Sequence, residues 1–218
     1  MTADFRVLDE NEAALLRRRV LPRVLEEFYG DLSPGALQLA DSFGFGRDDS
    51  RLEELVLDLY NKIQSHAYPD RWLAEQREIW SHMPGDAGET AYGRQLLADL
   101  GRKARHWSAM LEQGLVLMAE DDALHKAYSG SFWEVSEQLS RLAEAAAQGW
   151  DAAAAQAVGW PRLTAARKCG SPELKDRVKS IWDRAKAEMN AACTILDMTA
   201  AEAAEDLRRS APAMEALL

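Results

Sequence analysis

Leu52, Leu55, Val56, Leu59, Tyr60 and Ile63 fall at i, i+3, i+4, i+7, i+8 and i+11, a spacing that an α-helix gathers onto one face. The stretch around them, GRDDSRLEELVLDLYNKIQSHAYPDRWL from Gly46 to Leu73, carries its own start and stop. Ser50 can cap the N-terminus, and Glu53 stands at the capping-box distance. Asp48 and Asp49 place negative charge at the positive end of the helix dipole. The helix is expected to end across Ser65 to Pro69, where Pro69 opens a short second helix bearing Trp72 and Leu73. A chain organised around such an element folds as a helical protein. The spacing predicts a Ser50–Ser65 helix well buried on its Leu52, Leu55 and Leu59 side.

The rest of the chain repeats the helical pattern. Asp9 and Glu12 form a second capping-box pair, followed by Leu16, Val20, Val24 and Phe28 at steps of four. Pro22 lies inside this run and predicts a kink or a break. A short helix fits Ala36 to Ser42 between glycine-rich breakers. Glu89 to Ala119 reads as one long helix on Tyr92, Leu96, Leu100, Trp107, Leu111 and Met118; Gly101 and Gly114 leave two helices as the alternative. Asp121 to Ala147 reads as another, with Ser129-Gly130 a candidate break, and Asp151 to Val158 as a short Ala-rich one. Ser171-Pro172-Glu173 starts a last helix expected to run to about Arg209, before Pro212. No stretch alternates as a strand does. The reading is an all-α, multi-helix single domain over 1–218, with about seven to nine helices.

Composition narrows the function classes. The chain has 218 residues, 47% hydrophobic and 28% charged, enough for a substantial core. Its net charge of −10 excludes a uniformly basic nucleic-acid binder but not a local basic patch. Cys169 and Cys193 make neither a disulfide framework nor a metal quartet, so a reduced, cytoplasmic setting is expected. The opening MTADFRVLDENE is acidic and carries no apolar core, so no signal peptide is expected. No apolar run reaches the roughly 18 residues that cross a bilayer, so no membrane partner is expected. There is no G-x-x-x-x-G-K-[ST] loop to cradle phosphates. His66, His82, His106 and His125 do not share metal-ligand spacing, and each reads as a surface or core histidine. Cys193 sits in an apolar segment and reads as packing. Trp80, Trp107 and Trp182 are expected core anchors. The site reading is therefore no catalytic, cofactor or metal residue in this chain.

One segment stands against the acidic background. From Trp160 to Lys186 lie eight basic residues, Arg162, Arg167, Lys168, Lys175, Arg177, Lys179, Arg184 and Lys186, against the acids Glu173, Asp176 and Asp183. The local balance is +5, which leaves −15 for the rest of the chain. On a helical wheel Leu174, Val178, Ile181, Trp182, Ala185 and Met189 form the buried arc. Lys175, Lys179 and Lys186 follow one edge, with Asp176 and Asp183 expected to point away. A line of cations with a basic loop before it suits a phosphate backbone, where counterion release drives binding. The same lysines also suit the rim of a core, stems packed and ammonium groups in water. The DNA-contact candidates are Arg162, Arg167, Lys168, Lys175, Lys179 and Lys186.

The block RDDSRLEELVLDLY, followed by Ser65, Pro69 and Trp72-Leu73, resembles a signature of AddA, the helicase–nuclease subunit of the bacterial AddAB double-strand-break repair complex. The opening FRVLDENEAALL resembles the start of the same family's helical insertion in the first motor domain, subdomain 1B. Weaker similarity runs through Trp133, Trp150, Pro161-Arg162-Leu163 and ELKDRVK. The resemblance implies a subdomain of a superfamily-1 helicase that holds or steers double-stranded DNA, with contacts to an AddB-type subunit. ATP and Mg²⁺ are implied for the parent enzyme, outside this chain. The alternatives are a stand-alone helical adaptor for protein partners and an enzyme with an unrecognised helical site. Purified chain is expected to show no ATPase, helicase or nuclease turnover. ATP turnover lost on mutating a residue within it would overturn that expectation.

Overall fold

The computed structural model describes residues 8–31, 33–43, 50–166 and 169–218. Among them are nine α-helices and two 3₁₀ turns, and no strand. The helices are α1 (Glu10–Gly30), α2 (Pro34–Phe43), α3 (Ser50–Gln64), α4 (Pro69–Ser81), α5 (Ala91–Met118), α6 (Asp122–Gln148), α7 (Trp150–Ala154), α8 (Pro172–Cys193) and α9 (Ala200–Leu217). The all-α fold class holds. The chain divides into two compact units, residues 1–83 with 206–218, and residues 84–205.

In the first unit, α1 starts with the expected capping box. Asp9 Oδ1 accepts from Glu12 N at 2.8 Å, and Glu12 Oε2 accepts from Asp9 N at 3.3 Å. Pro22 lies inside α1 without ending it. Leu21, Leu25, Leu39, Leu52 and Ala213 form the buried centre, with Phe28, Phe43, Val56, Leu57 and Leu217 packed around it. Here α2 and α9 approach closely: a Cβ on Gly35 would lie 2.2 Å from Pro212 O. That position admits no larger residue.

The stripe on α3 is less buried than its periodicity implies. Leu52 is fully buried; Leu55, Val56, Leu59 and Ile63 are half-buried, and Tyr60 is exposed. The 15-residue helix packs mainly through its first turns, and α3 is not the organising element. Asp48 and Asp49 lie outside the described residues. Pro69 does open α4 at N1.

The second unit is built on α5 and α6, two unbroken helices of 28 and 27 residues. Thr90 caps α5, its Oγ1 accepting from Gly93 N at 2.8 Å. Neither Gly101 nor Gly114 breaks α5, and Gly114 marks a contact. A Cβ there would lie 2.7 Å from Phe132 Cε1, so the α6 ring rests directly on the α5 backbone. Ser108 Oγ lies 3.1 Å from Ser136 Oγ and 2.9 Å from Ser140 Oγ, so hydroxyls satisfy one another along the same seam. The buried line of α5 differs at its start: Gly93, Leu97 and Leu100 face inward, whereas Tyr92 and Leu96 are exposed. Trp80, Trp107 and Trp182 are buried as expected.

Two boundaries depart from expectation. The helix α7 stops at Ala154, short of Val158. The last predicted helix is two, because α8 ends at Cys193 and a 3₁₀ turn over Thr194–Asp197 intervenes. The new start is a capping box that the sequence contains. Thr199 Oγ1 accepts from Glu202 N at 3.2 Å, and Glu202 Oε2 accepts from Thr199 N at 2.9 Å. Those bonds from Thr199 hold the Glu202 carboxyl below its ordinary range. The junction is also pinned from α7: Trp150 Nε1 donates to Met198 O at 2.9 Å, and Asp151 Oδ1 accepts from Ala200 N at 2.8 Å. Pro212 does not end α9, which continues through buried Ala213 to Leu217.

Leu111→Ala removes a fully buried side chain and is expected to cost about 2–5 kcal/mol in denaturant unfolding, against about 1 kcal/mol for half-buried Leu59→Ala. Equal losses would restore α3 as a core element. Gly114→Ala is expected to destabilise by about 1–3 kcal/mol through overpacking on Phe132. Gly101→Ala, where a Cβ meets only ordinary contacts, is expected to be neutral or stabilising by up to about 1 kcal/mol in the same assay.

Candidate nucleic-acid interface

Between α7 and α8 the described residues form no regular structure, and this strap is tied to α6 and its cap at three points. Gly159 N donates to Gln138 Oε1 at 2.7 Å, Thr164 Oγ1 donates to Ala127 O at 2.9 Å, and Gly170 N donates to Asp121 Oδ2 at 2.7 Å. The strap therefore meets α6 progressively nearer its N-terminus. Its apolar anchor is Trp160, edge-on to Trp182 at 5.2 Å, with Trp182 tilted on Phe132 at 5.1 Å. A connection of this length whose described residues form no helix or strand is uncommon within a compact unit.

The strap and α8 enclose an open cleft of about 560 Å³, lined by Tyr128, Arg162, Leu163, Thr164, Ala165, Lys175 and Lys179. Three sequence candidates thus converge from two segments. Arg162 and Lys179 are both exposed. Lys175 is half-buried, with Nζ 3.4 Å from Ala166 O, so its stem packs on the rim while its charge stays at the cleft. Lys186 is exposed on the same helical line but does not line the cleft. Arg167 and Lys168 lie outside the described residues. Asp176 and Asp183, expected to point away from the lysine line, border the same shallow depression as Lys179, together with Ser180, Arg184 and Ala187. Acids at i−3 and i+4 share its side of the helix and offset part of its charge, contrary to the expectation that they point away.

Arg184 is turned to another role. Its guanidinium lies 5.6 Å from the Trp107 ring, while Trp107 Nε1 donates to Glu188 Oε2 at 3.0 Å. Arg102 pairs with Asp99 at 2.8 Å, and Arg105 lines a separate cleft of about 600 Å³ with Arg94 and Gln148. Those positions spread around α5 as successive helix positions must.

Asp121 is not among the sequence candidates. Its carboxylate caps α6 through Leu124 N at 2.9 Å and also accepts from Cys169 Sγ at 3.2 Å and Gly170 N. The Leu124 N–H, the Cys169 thiol and the Gly170 N–H together hold its carboxyl below the ordinary range. An acid three residues before Leu124 signals a cap; nothing in the spacing signals a partner 49 residues away. Burial, with the Asp197 charge, pushes the Cys193 thiol up, which disfavours a nucleophilic thiolate. His82 pairs with Glu78 at 3.2 Å, and His66 stacks on Trp72 at 4.7 Å. Among the described residues no group of three His, Cys, Asp or Glu side chains could hold a metal ion. No described helix is long and apolar enough to cross a membrane.

No family model matches the chain. Curated relatives do, and those described here are AddA-type subunits of ATP-dependent helicase/nucleases. The one from Ruminiclostridium cellulolyticum is 28% identical over 97% of this chain and 18% of that protein. The one from Acetivibrio thermocellus is 31% identical over 84% of this chain, and that from Desulforudis audaxviator 34% over 84%, each match spanning 15% of the relative. The chain spans less than one fifth of the length of these relatives. Over the stretch they share, the chain belongs to the AddA family of ATP-dependent helicase/nuclease subunits.

Proposed function

We propose that the chain serves as the helical 1B subdomain of an AddA-type ATP-dependent helicase/nuclease, an accessory part that contacts duplex DNA while double-strand breaks are processed for recombinational repair. The observation that carries this reading is the convergence of Arg162, Lys175 and Lys179 at one open cleft on an otherwise acidic chain. Cations spaced along a cleft neutralise phosphates and release counterions without reading bases. The two compact units form one functional subdomain in this proposal. An AddB-type subunit is its partner in the parent complex, and the cytoplasm its setting.

ATP and Mg²⁺ belong to the parent. The residues here do not fit either group: the sequence has no phosphate-cradling loop, and the described residues bring no ligand set together. No hydrolytic step is assigned to this chain.

One observation favours the adaptor reading. Leu16, Val20 and Val24 form a line on α1 with nearly half of each side chain exposed, which suits contact with another protein surface. Val20→Asp would abolish such a contact and leave DNA binding intact.

Duplex DNA titrated against the chain is expected to bind in the nonspecific range of roughly 10⁻⁴ to 10⁻⁶ M and to weaken steeply with salt. Each of Arg162→Gln, Lys175→Gln and Lys179→Gln is expected to reduce the slope of log K against log salt by about 1, with no dependence on base sequence. The same substitutions in a full-length helicase/nuclease should act in the same direction. Unchanged affinity and slope in both proteins would mean that these residues only rim the core.

A further inference from the structure

We propose that Asp121 is a positioning residue for the DNA interface, holding the entry to α8 and the end of the strap against α6 so that Arg162, Lys175 and Lys179 converge. The inference rests on the DNA-contact reading above. One carboxylate serves two elements. Oδ1 accepts from Leu124 N and caps α6, while Oδ2 accepts from Gly170 N and Cys169 Sγ in the strap. The chain then passes directly into Ser171, whose Oγ accepts from Leu174 N to cap α8. Lys175 follows one turn later, its N–H donating to Ser171 O at 3.2 Å and its ammonium group reaching back to Ala166 O. The carboxylate therefore fixes the first turn of α8, and with it the near wall of the cleft. Thr164 on Ala127 O and Gly159 on Gln138 hold the strap farther along, so Asp121 controls the α8 end rather than the whole strap.

The sign of the effect separates positioning from simple electrostatics. Asp121 is an acid near a phosphate-binding cleft, and removing its charge alone would tighten DNA binding. Positioning requires the opposite. Asp121→Ser keeps a cap oxygen for Leu124 N, since Ser and Asp cap about equally well, but has no second oxygen for the strap. Asp122→Ser removes the same charge one residue away, at an exposed side chain. In duplex titrations at low salt, Asp121→Ser is expected to weaken binding roughly threefold to tenfold, about the worth of one hydrogen bond. Asp122→Ser is expected to leave binding unchanged or tighter. Lys175→Gln should cost less in the Asp121→Ser background than in the wild type, because the lysine is already misplaced. Hydrogen exchange at the Gly170 amide should quicken in Asp121→Ser while helix content is retained. Should that variant fail to fold, Cys169→Ala leaves the cap intact, removes one strap donor, and is expected to weaken binding in the same direction by a smaller factor. If Lys175→Gln weakens wild-type binding but Asp121→Ser matches Asp122→Ser, the positioning role is overturned and the interface stands. If Arg162→Gln and Lys175→Gln both leave wild-type binding unchanged, the interface itself falls, and this role with it.

Discussion

The contact on which the second unit depends is the Phe132 ring lying on the α5 backbone at Gly114. It lets α5 and α6 approach closely enough for Ser108, Ser136 and Ser140 to satisfy one another's hydroxyls in a buried seam. It also starts an aromatic chain. Phe132 meets Trp182 of α8, and Trp182 meets Trp160 of the strap. The placement of an irregular segment on the surface is thus inherited from a glycine on the far side of α6. Interiors this closely packed transmit displacement rather than absorb it.

Polar ties finish what the aromatic chain begins. Gln138 and the Ala127 carbonyl each take one hydrogen bond from the strap and Asp121 takes two, so side-chain and carbonyl acceptors hold it without a regular ladder. Lys175 and Lys179 of α8 are held beside it, and the acids Asp176 and Asp183 offset part of the Lys179 charge. In the proposed role, a small cationic surface on a chain of net charge −10 accounts for weak attraction to phosphates that is indifferent to sequence.

What the sequence discloses follows from how local each signal is. The capping boxes at Asp9–Glu12 and Thr199–Glu202 both sit in the sequence, but the second is masked because the helical pattern continues through it. The stripe Leu52–Ile63 identifies a helix correctly, but periodicity reports which face is apolar and not how much of it finds a partner. Only the depth of packing around Leu52 decides that. Likewise Gly114 reads as a helix breaker until the ring opposite it is known. The basic character of the segment holding Arg162, Lys175 and Lys179 is legible as composition, whereas the role of Asp121 depends on a partner 49 residues away and leaves no trace in spacing.

The first unit is discontinuous in the chain: Ala213 and Leu217 complete a core otherwise made by α1, α2 and α3. During synthesis that core stays unfinished while about 130 further residues are made, some 6–26 seconds at ordinary ribosomal speeds of roughly 5–20 residues per second. The second unit, by contrast, has all of its residues once position 205 has left the ribosome. The part of the chain made first is therefore the last to close, and until α9 arrives its apolar residues Leu21, Leu25, Leu39 and Leu52 lack their final cover.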